Sequence, residues 1–410
     1  MKRRVVITGM GVSTPVGRIL HDFWANLLAG RSGVSEISLF NAASFPVRIG
    51  GEVKQLPIEE LARMFPEAVG EQDRKIWLGL DAASQAIASS KLDPGSLMAA
   101  PLFVGVSLEA FALERISPLL ETEALELGAN LATLQTPLDR LAQLLGNHYH
   151  LSAGRYTNCS ACAAGAQVVG EAFWRVREGS AEVAIAGATD STLNPLGLGG
   201  FSLLQIWSAE NDRPEEACRP FDATRQGTVL SEGAAFLVLE ELERARKRNA
   251  EIFAEVLGYG SSLDAFRVTD PEPAGQGAAL SMTRAMADAG LDRVDCINAH
   301  GTGTFKNDIA ETLGIKAALG ASASGIPVTA NKSMTGHMIA TSGAAEAIAS
   351  ALTAFSRLIP PTRNLKRPDP RCDLDFVTGQ AREWKGQTIL SNSFGFGGQN
   401  ASLIFARYEP

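Results

Sequence analysis

The chain has 410 residues, of which 45% are hydrophobic and 20% charged, with a formal net charge of −8. That length and apolar content suit a large core in two domains or two halves of one, and they exclude a disordered chain. The acidic balance argues against nucleic-acid binding, no apolar run is long enough to cross a bilayer, and five scattered cysteines describe no disulfide framework but a reducing, cytoplasmic setting.

The N-terminal Met1-Lys2-Arg3-Arg4 is basic, but the apolar run after it meets Gly9 at once, too soon for a signal-peptide core. Arg4–Thr8 reads as a buried strand entering a turn at Gly9-Met10-Gly11. Asp73–Lys91 is a predicted helix, with Ile76, Leu80, Ala83 and Ile87 at helical spacing. A strand over Leu102–Val106 and a helix over Pro137–Leu145 follow. Glu182–Gly187 and Ala235–Leu239 read as further buried strands. The mixed charges of Glu240–Arg248 read as a solvated helix end. The same order then returns. Leu280–Ala289 is a helix, Asp295–Ala299 a strand, Ile309–Leu319 a helix, Pro327–Ala330 a strand and Ser342–Phe355 a Gly/Ala-rich helix. The final Ser402–Phe405 closes the second round as Phe236–Leu239 closes the first. The expectation is an α/β fold of two pseudo-symmetric halves, residues 1–250 and 251–410.

The most informative stretch is Tyr156-Thr157-Asn158-Cys159-Ser160-Ala161-Cys162-Ala163-Ala164-Gly165. A short β-prone run delivers Cys162 to the start of a helix, where unpaired N–H groups and the helix dipole favour thiolate. A buried structural cysteine is the ordinary alternative. Cys159 and Cys162 also form a C-x-x-C pair, but no second pair at zinc spacing and no thioredoxin-like unit accompanies it, so Cys159 reads as packing. If the two halves pack about a pseudo-two-fold axis, the junctions carrying Cys162, His300 and His337 converge outside strand C-terminal ends. His21, His148 and His150 lack such a context.

Four blocks, in this order and spacing, carry a resemblance: Ala161-Cys162 with Gly165, Asn298-Ala299-His300-Gly301-Thr302-Gly303-Thr304, Asn331-Lys332-Ser333-Met334-Thr335-Gly336-His337, and Asn392-Ser393-Phe394-Gly395-Phe396-Gly397-Gly398. With Val5–Gly11 they span nearly the whole chain, which resembles the β-ketoacyl-[acyl-carrier-protein] synthases of thiolase fold, in the Cys-His-His branch. The resemblance implies a five-layered αβαβα arrangement and a decarboxylative condensation. Cys162 would take an acyl chain from the phosphopantetheine of an acyl carrier protein. His300 and His337 would donate to the malonyl thioester oxygen. A second oxyanion would sit between the N–H groups of Cys162 and Phe396, with Phe394 and Phe396 in the gate of the acyl pocket. That loop lacks the Lys-Ser/Thr of a phosphate-binding P-loop. Lys332 and Glu346 would support the histidines, or form a structural salt bridge; both can hold. Asp308 and Glu311 are supporting candidates, with Asp308 open to a helix-capping role. Arg74, Lys75 and Arg225 match positions that recruit the acidic carrier.

No redox cofactor or metal is implied by the resemblance, nor any nucleic acid or membrane insertion. A homodimer, or a heterodimer with a chain-length-factor-like paralogue, is expected. Departures include Ser107-Leu108-Glu109-Ala110-Phe111-Ala112 in place of a glycine-rich turn, a poorly matched stretch onward to Gln143, the run Asn158-Cys159-Ser160 and Gln399 where threonine is common. They bear on acyl-chain identity more than on reaction type, leaving fatty-acid and polyketide or polyene synthesis both open. Two rivals are weighed. A non-catalytic chain-length subunit lacks the nucleophilic cysteine. A degradative thiolase carries its nucleophile earlier and a second cysteine in the C-terminal glycine loop, where this chain has Phe396; a Cys-His-Asn site is disfavoured by His337.

Overall fold

The first strand, β1 (Val5–Ser13), continues through Gly9 and Gly11, where the sequence predicts a turn, with only a shift of register between Ile7 and Gly9. Its glycines serve contact instead. A Cβ on Gly9 would lie 2.4 Å from the Ala86 carbonyl oxygen and one on Gly11 2.1 Å from that of Ala82, so the helix α1 (Arg74–Ser90) can lie directly on the strand. The computed structural model describes residues 3–107 and 136–409. The departure at Leu108–Ala112 and most of the stretch toward Gln143 therefore lie outside the described residues.

The remaining elements that position the site are β2 (Leu102–Gly105), β3 (Arg155–Asn158), α2 (Ala164–Arg177), β4 (Val183–Asp190), β5 (Gly233–Glu241), β6 (Ala254–Leu263), α3 (Gln276–Ala289), β7 (Cys296–Asn298), α4 (Phe305–Leu319), β8 (Pro327–Thr329), α5 (Ala340–Ser356), β9 (Asp375–Phe376), β10 (Thr388–Gly395) and β11 (Gln399–Ala406). Among the described residues the main sheet has eleven strands in the order β9-β8-β7-β10-β11-β6-β1-β5-β4-β2-β3. From β3 inward the order β3-β2-β4-β5-β1 mirrors β8-β7-β10-β11-β6. In both, the outer three strands are parallel and the inner contacts antiparallel. The two sets meet at a short antiparallel seam, Val5–Ile7 against Ala254–Val256.

Layering follows from which faces are apolar. Helix α5 is buried on every side from Ala340 to Ala354, as an all-round small and apolar sequence requires. Together with α2 it forms a central layer that touches strands of both sets, while α1 covers the first set and α3 the second, with α4 on α3. This is the αβαβα arrangement, an α/β fold of thiolase type.

Two local features differ from the sequence reading. Arg244 and Arg248, read as a solvated helix end, both pair with the fully buried Glu240, which also accepts from Thr8 Oγ1 at 2.9 Å. A carboxylate taken out of water at a strand end needs such partners. Cys159, read as packing, is exposed, and its thiol hydrogen-bonds to the Ser107 carbonyl at 2.8 Å.

Candidate active site

The Cys162 junction is tighter than a plain strand-to-helix step. After β3 the chain enters a 3₁₀ turn over Ala161–Ala163, with Ala161 at φ 49°, before α2 begins at Ala164. The same device opens α5, where Ile339 holds φ 44° and ψ −113°. A β-branched residue at positive φ is strained, and such strain persists only where the surroundings enforce it. Here they do. A Cβ on Gly165 would stand 2.5 Å from the Ala340 carbonyl oxygen, and one on Gly343 would stand 2.6 Å from the Ala166 nitrogen. Glycine at both crossings lets the first turns of α2 and α5 touch backbone to backbone. That contact carries Cys162 and the His337 loop to one place.

The place is a cavity of about 650 Å³ whose walls include Cys162, His300, His337, Phe394 and Phe396. The two imidazoles stand edge to face, 5.5 Å apart at 83°, and His300 lies 5.7 Å from the Phe394 ring. His300 follows β7, and its peptide is held by Glu311 on α4, which accepts from the N–H groups of His300 and Gly301 at 2.8 Å each. Asp308 is not the helix cap; Thr304 occupies that position. Its carboxylate accepts from the Phe221 N–H at 2.7 Å and the Gly303 N–H at 3.2 Å, fixing the loop after His300. The gate loop backs onto the elbow. A Cβ on Gly395 would sit 3.0 Å from the nitrogens of both Cys162 and Ala163. Gln399 accepts from Gln167 Nε2 of α2 at 3.5 Å, the limit of a hydrogen bond.

Lys332 lies fully buried below the histidines. Its Nζ donates to Glu346 Oε1 at 2.5 Å and to the His300 carbonyl at 2.7 Å, and it stands 3.2 Å from His300 Nδ1. An ammonium only donates, so Nδ1 accepts and the proton of neutral His300 sits on Nε2. His337 Nδ1 lies 3.1 Å from Ser342 Oγ, which already accepts from the Met338 N–H at 3.0 Å. The Ser342 hydroxyl is thus free to donate to Nδ1, again placing the imidazole proton on Nε2. Ser342 escaped the sequence reading, although its position in the first turn of a Gly/Ala-rich helix after His337 was a usable signal.

Burial, then the charge of Lys332, holds both histidines well below their usual value of 6.5, so each is neutral. Burial pushes the Glu346 and Glu311 carboxyls up to about 7, against the pull of Lys332 on both. The expectation of a resting thiolate is overturned. Burial pushes the Cys162 thiol up to about 11, with Lys332 and the Phe396 N–H pulling back only part of the way. A helix N-terminus helps an anion that is already desolvated, but here desolvation is the larger effect.

Of the three expected carrier contacts, Lys75 and Arg225 are buried, while Arg74 is half-buried. Arg74 reaches the buried Glu232 at 2.6 Å, and Lys75, 3% exposed, pairs with Asp73 at 3.1 Å. Arg225 is buried between Asp369 at 2.8 Å and Asp308 at 3.4 Å. Each cation is held by an internal carboxylate, because a charge removed from water needs a partner. No group of three or more His, Cys, Asp or Glu with metal-binding geometry occurs among the described residues.

Residues 2–245 match the beta-ketoacyl synthase N-terminal domain and residues 253–366 the beta-ketoacyl synthase C-terminal domain. The chain is 40% identical to the 3-oxoacyl-[acyl-carrier-protein] synthase 2 of Synechocystis sp., covering 100% of this chain and 99% of the relative. It is 38% identical to the granaticin polyketide putative beta-ketoacyl synthase 1 of Streptomyces violaceoruber, with 100% and 99% covered. Among solved structures it resembles a type II PKS ketosynthase, bound to the hexaketide and in complex with its acyl-carrier protein, at TM-score 0.88 and 32% identity over 100% of both chains. The ishigamide ketosynthase/chain length factor is similar at TM-score 0.87 and 33% identity, again over 100% of both.

Proposed function

The chain belongs to the beta-ketoacyl synthase family, and we propose from that premise that it condenses malonyl carrier protein with an acyl chain held on Cys162. It is an acyltransferase, a 3-oxoacyl-[acyl-carrier-protein] synthase, and its partner is an acyl carrier protein. The observation that carries the reading is the single cavity shared by Cys162, His300 and His337, with neutral imidazoles oriented by Lys332 and Ser342.

In the first step the Cys162 sulfur attacks the acyl thioester carbon, and the oxyanion lies between the N–H groups of Cys162 and Phe396. The acyl–sulfur bond to pantetheine breaks, and the Cys162 proton ends on the departing pantetheine sulfur. In the second step malonyl loses carbon dioxide, and the electron pair of the broken bond becomes an enolate. The Nε2–H groups of His300 and His337 donate to its oxygen, where fixed donors act without reorganising. The enolate carbon then attacks the acyl–Cys162 carbon. The carbon–sulfur bond breaks, and the departing Cys162 thiolate takes a proton from solvent water, returning to the thiol of its resting state. No step changes a redox state, so none calls for a redox cofactor. Lys332, Glu346, Asp308 and Glu311 position these groups, and Phe394 and Phe396 gate the pocket.

We assign the two halves to residues 1–250 and 251–410, which the mirrored strand order supports. A dimer, with itself or with a chain-length-factor-like paralogue, is the assembly we propose; the ketosynthase/chain length factor relative supports the second form. Five scattered cysteines that describe no disulfide framework support a cytoplasmic setting. Among the described residues no helix is long and apolar enough to cross a membrane.

Mass spectrometry of the protein after exposure to carrier proteins bearing different acyl chains tests this reading. A mass gain on the Cys162 peptide, graded by chain type, is the expected result; a gain elsewhere, or none, defeats it. The pH profile offers a second check. Neutral imidazoles are the donors, and both titrate below 6.5, so malonyl decarboxylation holds its rate as pH falls through 6.5 and declines only further down. An acid limb centred at or above 6.5 would contradict the assignment.

A further inference from the structure

Aromatic rings line one side of the Cys162 cavity. Trp207, Phe201 and the gate residue Phe396 all stand in its wall. The Trp207 and Phe201 ring centroids lie 5.4 Å apart with their planes at 74°, and those of Phe201 and Phe396 lie 6.5 Å apart at 39°. Cys162 and Trp207 belong to one buried apolar cluster, against which Phe201 packs. The run of rings therefore joins the gate to the surroundings of the sulfur.

The backbone holds the tryptophan in this run. The Thr228 N–H donates to the Ile206 carbonyl at 2.9 Å, and the Ser208 N–H donates to the Thr228 carbonyl at 2.7 Å. Gly227, at φ 133°, permits the approach, since a Cβ there would stand 2.3 Å from the Ile206 carbonyl oxygen. A buried ring on a segment clamped from both sides meets a ligand in a preset orientation. At 74° the indole and the Phe201 ring set an edge against a face. A planar π system can lie offset on one ring and meet the edge of the other, which gains attraction beyond the area buried. A saturated chain of the same length buries similar area without that gain, and it loses more torsional freedom when held.

We propose that the acyl chain carried on Cys162 is a conjugated one, and that Trp207 and Phe201 select it over a saturated chain. The inference rests on the condensing reading, which puts the chain on Cys162, and it names the substrate class which that reading leaves open.

The test is competition between two pantetheine thioesters of equal chain length. One chain is saturated; the other is a conjugated triene whose first double bond lies two methylenes beyond the thioester carbonyl, so that the reacting carbonyls are alike. Mass spectrometry of the intact protein reads which chain Cys162 takes, and the ratio of the two kcat/KM values is the quantity compared. Wild-type protein is expected to favour the triene about fivefold or more, the scale of a good aromatic contact. Trp207→Leu and Phe201→Leu should each lower that ratio by about twofold or more, while Trp207→Phe, which keeps a ring, retains most of it. A wild-type ratio near one would overturn the proposal. So would a ratio unchanged in both leucine variants, even with slower acylation, since the rings would then brace the gate without reading the chain. If Trp207→Leu does not fold, Phe201→Leu, at a half-buried position, decides alone. Failure of wild-type protein to acylate Cys162 from either thioester strikes instead at the condensing reading and removes this one with it.

Discussion

Cys162→Ala abolishes acyl transfer from carrier protein, with no covalent mass gain, while Cys162→Gln abolishes condensation and retains malonyl decarboxylation. The two outcomes separate because the two chemistries use different groups in one cavity. Alanine removes the sulfur that forms the acyl bond, and with it a covalent intermediate that splits one hard step into two easier ones. Glutamine removes it too, but places a neutral carbonyl where the acyl thioester carbonyl would lie, near the N–H groups of Cys162 and Phe396. In the proposed mechanism decarboxylation needs only His300 and His337, whose Nδ1 atoms face Lys332 and Ser342. Carbon dioxide release and product formation, measured side by side on each variant, check this. Condensation surviving in the glutamine variant would refute Cys162 as the nucleophile.

Lys332→Met has the second large effect, on rate and stability together. The ammonium is fully buried and faces Glu346 Oε1, the His300 carbonyl and His300 Nδ1. Without it Glu346 is a buried carboxylate lacking its charge partner, and breaking such a pair typically costs about 3–5 kcal/mol. His300 loses the donor that fixes its tautomer, so decarboxylation should fall by about 10²-fold or more, the scale of losing a positioned donor to an oxyanion. The pH profile supplies the sign. Lys332 lowers both histidines, so its removal raises them and moves the acid limb of the residual activity upward. Adding Glu346→Gln to Lys332→Met should recover much of the stability, since no charge is then stranded, but none of the rate. Thermal unfolding alongside decarboxylation separates the outcomes. A single variant as active as wild type would reduce the lysine to a structural role.

Much of the fold could be read along the chain because its elements are short and locally determined. Helix α1 was predicted over Asp73–Lys91 and forms over Arg74–Ser90, with Asp73 accepting from the Lys75 N–H as its cap. The buried strands gave themselves away by continuous apolar runs, and the second round of helices and strands follows the first. The misreadings share another origin. Gly9 and Gly11 have the residue type of a turn, yet they lie in a strand because a helix presses on them from outside. Lys75 and Arg225 have the residue type of a docking surface, yet both are buried against carboxylates inside the molecule. Glycine and arginine are ambiguous until their neighbours in space are known.

By itself the sequence determined which residue types stand at which strand-to-helix junctions: a cysteine after β3, a histidine after β7, a lysine and a histidine before α5. That is local information, carried by hydrophobic runs, small residues and their spacing. Only the tertiary structure decided that these junctions share one cavity, through the glycine-to-backbone crossing of α2 and α5, and in what protonation state they wait there. Burial and pairing are sums over groups far apart in the chain. They turned an expected thiolate into a thiol and two ordinary histidines into neutral donors, which no window of sequence around Cys162, His300 or His337 contains.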